Sequence, residues 1–295
     1  MTDSTRPKKT MVVVTPSYRP DAELCRDLNA SVMKYCSPDI EHHILVPNRD
    51  LNLFADMANE RTKIIGVDSL LPKNIFRIPG ANLWINLARP FPPLRGWIVQ
   101  QLVKLGYVAS LAADLALLID SDIVFINPVT TDSYTHEGEA PLFRRRGGVT
   151  EDMQRHVIWH QVSHRLLGLE DPGPCPLPDY ITCPCLWEPT MVSNLLEHIE
   201  ITTGEHWATA IGRNLHFSEM MLYGVYAEHF HDQAEPLLTT DASQVHNYWD
   251  EVPLDQDGMK EFLSGVRGEH LAVMISARSN TPSEVRRQAF TEFHG

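Results

Sequence analysis

The chain has 295 residues, 43% of them apolar, and a formal net charge of -13. That length and apolar fraction suit one large α/β domain with a sizeable core, while the acidity argues against nucleic acid or an anionic membrane as partner, since both are bound through basic patches. No apolar run approaches the roughly 20 residues of a membrane span, and the five cysteines, Cys25, Cys36, Cys175, Cys183 and Cys185, are irregularly spaced, as expected of reduced thiols in a cytoplasmic protein.

Met1 to Thr10 is polar and basic, with Arg6, Lys8 and Lys9 and no apolar segment behind them, and reads as a short tail rather than a signal peptide. Met11 to Thr15 is a β-branched strand ending in the turn Pro16-Ser17-Tyr18-Arg19-Pro20-Asp21, and a helix follows with Leu24, Leu28 and Val32 on one side. His43 to Val46 and Lys63 to Val67 read as a second and a third strand, the latter ending in Asp68. Strands alternating with helices imply a parallel, doubly wound sheet in which Thr15, Tyr18 and Asp68 line a common crevice. Leu71 to Pro93 is a Pro-rich connection long enough to be functional. Arg95 to Leu105 is helical in pattern and places Trp97, Gln101 and Lys104 on one face.

Asp114 to Ile126 then forms an apolar run interrupted by Asp120-Ser121-Asp122. A run of Leu, Ala and Ile reads as a central strand, and the carboxyl end of such a strand is where open α/β sheets hold ligands. Residues two apart on a strand share a face, so the two carboxylates offer one cation a pair of hard oxygen ligands.

The second half is less regular. Pro141 to Arg144 reads as a strand, and Asp152 to Leu167 as a helix carrying His156, His160 and His164. Glu170 to Pro189 is a Pro- and Cys-rich loop suited to an acceptor-binding insertion. Helices follow at Thr190 to Ile199, from about His206, and at His216 to Tyr226, where Ser218 can serve as N-cap. Gln244 to Trp249 is a late strand, Met259 to Val266 an amphipathic helix, Leu271 to Ile275 a strand, and Ser276 to Asn280 a loop before a last helix. The three histidines and downstream thiols make zinc conceivable, but Cys-x7-Cys-x-Cys matches no standard zinc spacing, so a solvated helix face with buried thiols is favoured. With no repeat or linker, one domain is expected over 1–295.

Taken together, Val12 to Tyr18, Gly96-Trp97 with Gln100, Gln101 and Lys104, the Leu117 to Asp122 strand and Ser218-Glu219 resemble a GT-A type glycosyltransferase. The nearest likeness is to small bacterial glycosyltransferase-like proteins of unassigned function. The resemblance implies a Rossmann-like GT-A fold: a mostly parallel central sheet flanked by helices, a nucleotide-sugar-binding half over 10–130 and an acceptor-binding half over 131–295. It implies Mn2+ or Mg2+ on Asp120, Asp122 and His246, and a nucleotide-sugar donor, UDP favoured, held by Thr15, Ser17, Tyr18, Asp68, Gln101, Lys104, Asp120, Ser121 and Arg278. Glu219 stands as the base acting on the acceptor hydroxyl, and Trp187, His216 and Tyr248 as acceptor contacts. The acceptor is a small polyol, such as an aminocyclitol, or a glycan. Inversion and retention both stay open, because Met220 follows Glu219 where the family often carries a second acidic residue. Two alternatives fit the same letters. One is a non-catalytic nucleotide-sugar or glycan binder on the same fold. The other is a haloacid-dehalogenase-like phosphohydrolase with Asp120 as nucleophile, although that motif usually opens its domain and here more than a hundred residues precede it.

Overall fold

The computed structural model describes residues 9–78, 83–232 and 236–293; Met1 to Lys8 of the expected tail lie outside the described residues. The strands are β1 Met11–Pro16, β2 Glu41–Val46, β3 Thr62–Gly66, β4 Ile75–Arg77, β5 Trp84–Asn86, β6 Arg89–Leu94, β7 Leu115–Leu118, β8 Ile123–Phe125, β9 Leu142–Phe143, β10 Arg145–Val149, β11 Leu177–Asp179, β12 Cys185–Trp187, β13 Thr239–Thr240, β14 Val245–Tyr248 and β15 Ala272–Ile275. The helices are α1 Ala22–Tyr35, α2 Leu51–Phe54, α3 Gly96–Ala109, α4 Gln154–Leu166, α5 Pro189–Thr203, α6 Trp207–Gly212, α7 Glu219–Phe230, α8 Gln256–Ser264 and α9 Ser283–Phe293. The chain is α/β, with parallel and antiparallel pairing and flanking helices. It divides into two compact units, each assembled from separated stretches: Met1–Met11, Gly66–Leu117 and Tyr134–Asp241 in the first, and Val12–Ile65, Leu118–Ser133 and Ala242–Gly295 in the second. This division runs differently from the halves 10–130 and 131–295.

In the second unit, β1 pairs parallel with β2 from Val12↔Glu41 to Pro16↔Leu45, and β3 lies beyond β2. All six residues of β1 are buried, as a β-branched run covered on both faces must be. The crossover between β1 and β2 is α1, whose buried Ala22, Cys25, Leu28 and Val32 recur at three and four residues and form the apolar stripe. Ile119, just after β7, donates its N–H to Val14 O at 3.0 Å. The chain then turns at Asp120-Ser121-Asp122, and β8 joins a second sheet in the order β14-β15-β8. There β14 and β15 run parallel while β15 and β8 run antiparallel. Ile126, Met259, Leu263, Val273, Ile275 and Ala289 form a core between this sheet and helices α8 and α9.

Three expectations are corrected. The sheets are mixed rather than mostly parallel, because the Asp-Ser-Asp turn ends one strand and sends the next against β15. Asp114 to Ile126 is accordingly two strands, and the carboxylates sit on the turn between them instead of on one pleated face. The Leu71 to Pro93 connection, in turn, contains the antiparallel strands β4, β5 and β6, with pairs such as Phe76↔Ile85 and Trp84↔Leu94. Pro90, Pro92 and Pro93 fall in β6, at the end of that three-strand order, where a missing N–H costs no ladder bond.

In the first unit, α3 packs against α5, α6 and α7, and α4 against α7. Thr10 is clasped to Asp114, whose Oδ2 accepts from its N–H and its hydroxyl at 2.8 Å each. Helix α7 is capped by Ser218 Oγ, which accepts the Met221 N–H at 3.3 Å. At Gly224 in α7 a β-carbon would fall on the ring of Tyr180. That ring is held in place by its hydroxyl, which donates to Glu228 Oε2 at 2.7 Å. Gly224→Ala sets a helix-propensity gain of about 1 kcal/mol against a clash that cannot be relieved by one side-chain rotation. The clash should win, with a net loss of about 1–3 kcal/mol in urea denaturation.

Candidate functional site

The candidate site of the second unit is the turn between β7 and β8. Ser121 Oγ donates to Ser17 Oγ at 2.9 Å and approaches Pro16 O at 3.4 Å, tying the turn to the segment that leaves β1. Ser17 is held in turn by its N–H, which donates to Leu45 O at 2.9 Å. Asp122 Oδ2 accepts the Ala277 N–H at 2.8 Å, and Asp122 O accepts the Ile275 N–H at 3.2 Å, so the exit of β15 fixes this carboxylate. Burial, followed by the charge of Asp120, pushes Asp122 up to about 6; the Ala277 N–H and Arg286 oppose the shift. Asp21 is also pushed up to about 6, again by burial first and Asp120 second. Three carboxylates therefore share one acidic locality, the arrangement by which charged groups are tuned at functional sites.

Sequence reading singled out neither Asp21 nor Arg286. The signal for Asp21 was its place on the loop after β1, at the same strand end as the Asp120 turn. Arg286 carries no such signal, because a helical Arg reads as solvated. It is instead 5% exposed, and its guanidinium donates to Ile275 O at 2.9 Å, Thr281 O at 3.1 Å and Ser276 O at 3.3 Å.

The other residues expected to contact the donor or metal in this unit lie as follows. Thr15 is fully buried, and its hydroxyl is 2.9 Å from His42 Nε2. Asn29 Nδ2 donates to His42 Nδ1 and to Thr62 Oγ1, both at 2.9 Å. The accepting Nδ1 leaves the hydrogen on Nε2, which donates to Thr15. Tyr18 is half exposed. Arg278 is exposed, with Glu251 at 3.8 Å. His246 stacks on Phe262 with ring centroids 4.4 Å apart, and its Nε2 donates to Phe262 O at 2.9 Å. Tyr248 donates its hydroxyl to Val252 O at 2.9 Å. Among the described residues, no three His, Cys, Asp or Glu side chains gather as a metal site.

In the first unit the structure brings together Gln101, Lys104 and Glu219. Lys104 Nζ lies 3.0 Å from Glu219 Oε1, and both side chains are buried. Gln101 Oε1 accepts the Glu219 N–H at 2.8 Å, satisfying one of the open donors at the start of α7. Negative charge at a helix N-terminus is favourable, and Lys104 supplies the counter-charge. Elsewhere in this unit Asp68 is exposed on a single turn after β3, and His216 is exposed just before the α7 cap. Trp187 is buried and stacked on Tyr223 at 5.1 Å. His160 and His164 each hydrogen-bond a backbone carbonyl, and Cys25, Cys36, Cys175, Cys183 and Cys185 form no disulfide.

Two predictions come from these networks. Lys104→Met strands a buried carboxylate and should cost about 3–5 kcal/mol, whereas Lys104→Met combined with Glu219→Leu should recover most of it; urea denaturation of the three proteins measures both. Burial drives His42 from 6.5 down to about 3. Between those values the unfolded chain carries the extra proton, so the stabilisation is complete above pH 6.5 and is lost as the pH falls, by about 1.4 kcal/mol per unit. His42→Gln should flatten that part of the stability-against-pH curve relative to the natural chain.

The profile of a family described as a family of unknown function (DUF6492) matches residues 11–258. No curated protein matches the chain. The matched stretch runs from β1 into α8 and includes the Asp120-Ser121-Asp122 turn and Glu219, and the chain belongs to this family of unknown function, DUF6492.

Proposed function

We propose that the chain is a metal-dependent glycosyltransferase of GT-A type that moves a sugar from a nucleotide-diphosphate donor, UDP favoured, to a hydroxyl of a small polyol or glycan. The observation that carries this reading is the Asp120-Ser121-Asp122 turn, set at the carboxyl end of β7 and tied through Ser121 to the carboxyl end of β1. Open α/β sheets bind their ligands at such strand ends. The β1–α1–β2 unit with β3 is the nucleotide half of this reading, and Ser17 and Tyr18 face the donor.

Asp120 and Asp122 fit Mn2+ or Mg2+. Both are hard oxygen ligands, and the burial and, after it, the repulsion from Asp120 that lift Asp122 are what a divalent cation offsets. Two carboxylates suffice, because these ions commonly sit on one or two carboxylates and complete their shell with substrate phosphates and water. When bound, the ion would offset the charge that develops on the departing nucleoside diphosphate. The chain's own part is to hold the turn rigid. Ala277 N–H orients Asp122, Ser17 and Ser121 lock the backbone, and Arg286 supports the loop after β15 from beneath through three carbonyls.

A second reading has one observation in its favour. The closed Lys104–Glu219 pair occupies the expected base, and proton abstraction would require that pair to open. A non-catalytic nucleotide-sugar binder needs no such opening.

Asp122→Ala should abolish Mn2+-dependent binding of UDP-sugar in isothermal titration, a loss of 100-fold or more, with an unchanged far-ultraviolet circular dichroism spectrum. Retained Mn2+-dependent binding would overturn the assignment. Chelator-sensitive release of UDP by the natural chain separates the transferase from the binder.

A further inference from the structure

A cavity of about 420 Å3 opens in the first unit, walled by α4, α7 and β11, and three histidines line it: His160, His164 and His229. Small-molecule sites run from about 300 to 1,000 Å3, and one water takes up only about 30 Å3, so the space is of ligand size.

Its walls are rich in acceptors. His160 Nε2 lies 2.7 Å from Pro178 O, and His164 Nδ1 lies 2.6 Å from Glu170 O. A carbonyl only accepts, so each of those nitrogens carries the hydrogen, and the other nitrogen of a neutral ring is a lone pair. Burial holds both imidazoles below their ordinary range, so both are neutral at pH 7. His160 is only 1% exposed, and its Nδ1 is buried with no hydrogen-bond partner. An atom so fully covered is out of reach of anything in the cavity, so the lone pair that a donor there can meet is that of His164 Nε2.

The charge is one-sided. Glu228 is compensated, since Arg144 pairs with it and the Tyr180 hydroxyl donates to its Oε2 at 2.7 Å. Glu170 and Asp171 also line the space and are exposed. Among the described residues lining the cavity there is no Lys or Arg. An anion would meet carboxylates and lone pairs; an ammonium with hydroxyls would meet partners for both.

We infer that this cavity is a binding site for a small polyhydroxylated amine, with a hydroxyl donating to His164 Nε2 and the ammonium paired with Glu170 and Asp171. The inference does not rest on the transferase reading, because none of these residues belongs to the Asp120–Asp122 turn.

Glucosamine, glucose and glucose 6-phosphate are cationic, neutral and anionic probes built on one hexose framework. In titrations of the full chain, glucosamine should raise the thermal midpoint and shift the His160 and His164 imidazole resonances. Glucose should bind at least threefold more weakly, and glucose 6-phosphate at least tenfold. His164→Leu should weaken glucosamine tenfold or more. Should that core variant fail to fold, Glu170→Gln combined with Asp171→Asn alters exposed side chains alone and should bring glucosamine down to the affinity of glucose. The inference is overturned if none of the probes binds, if glucose 6-phosphate binds as tightly as glucosamine, or if glucosamine binds the double variant unchanged.

Discussion

A carboxylate taken out of water sets the arrangement of the second unit's ligand-facing end. Asp122 is half-buried next to the charge of Asp120, and both effects favour its protonated form. The chain compensates with what it can bring close: the Ala277 N–H on Oδ2 and the field of Arg286. Those two groups belong to the loop after β15 and to α9, so the C-terminal segment is held where it is by the needs of a turn more than 150 residues earlier. Arg286 is itself buried and spends its donors on three carbonyls of that loop. The compensation is incomplete, since Asp122 stays well above the ordinary carboxylate range. Electrostatic tension of this kind is what a divalent cation would discharge, and it is the physical content of the proposed site.

The interior handles its other polar groups in a different way. Thr15, His42, Asn29 and Thr62 form a chain of hydrogen bonds in which both ring nitrogens of a fully buried, neutral imidazole are satisfied. Lys104, Gln101 and Glu219 do the same with charge, matching a cation and an amide to the first turn of α7. Against these satisfied networks the bare Nδ1 of His160 stands out. The His160 ring lines a cavity, in contrast to the packed positions of His42 and His246, yet this nitrogen is itself covered, and it is the neighbouring His164 that offers the cavity an acceptor.

Much of the frame was legible in residue order. The Val12–Val14 run, the 3–4 spacing of α1, the Ser218 cap and the Ala272–Ile275 strand depend on backbone chemistry and local periodicity. Other parts hid for stated reasons. Prolines suppressed the reading of β6, yet an edge strand tolerates them. Asp120 and Asp122 look pleat-related by spacing, but hydrogen bonds from Ser121 and Ala277 hold them in a turn. Which acceptor His246 would meet depended on how closely α8 packs: the ring sits against Phe262 and Gly265, a matter invisible from the Asn-Tyr-Trp that follows it.

By itself the sequence determined the α/β alternation, the helix starts, and the position of two carboxylates in the break of an apolar run, because each of these is written within a dozen neighbouring residues. Only the tertiary structure decided that β8 runs against β15, that Lys104 meets Glu219 across 115 residues of chain, that Asp21 joins the acidic group, and that His160 and His164 line one cavity. Burial and charge pairing are properties of segments far apart in the chain, and they acquire a sign and a size only once folding has brought those segments into contact.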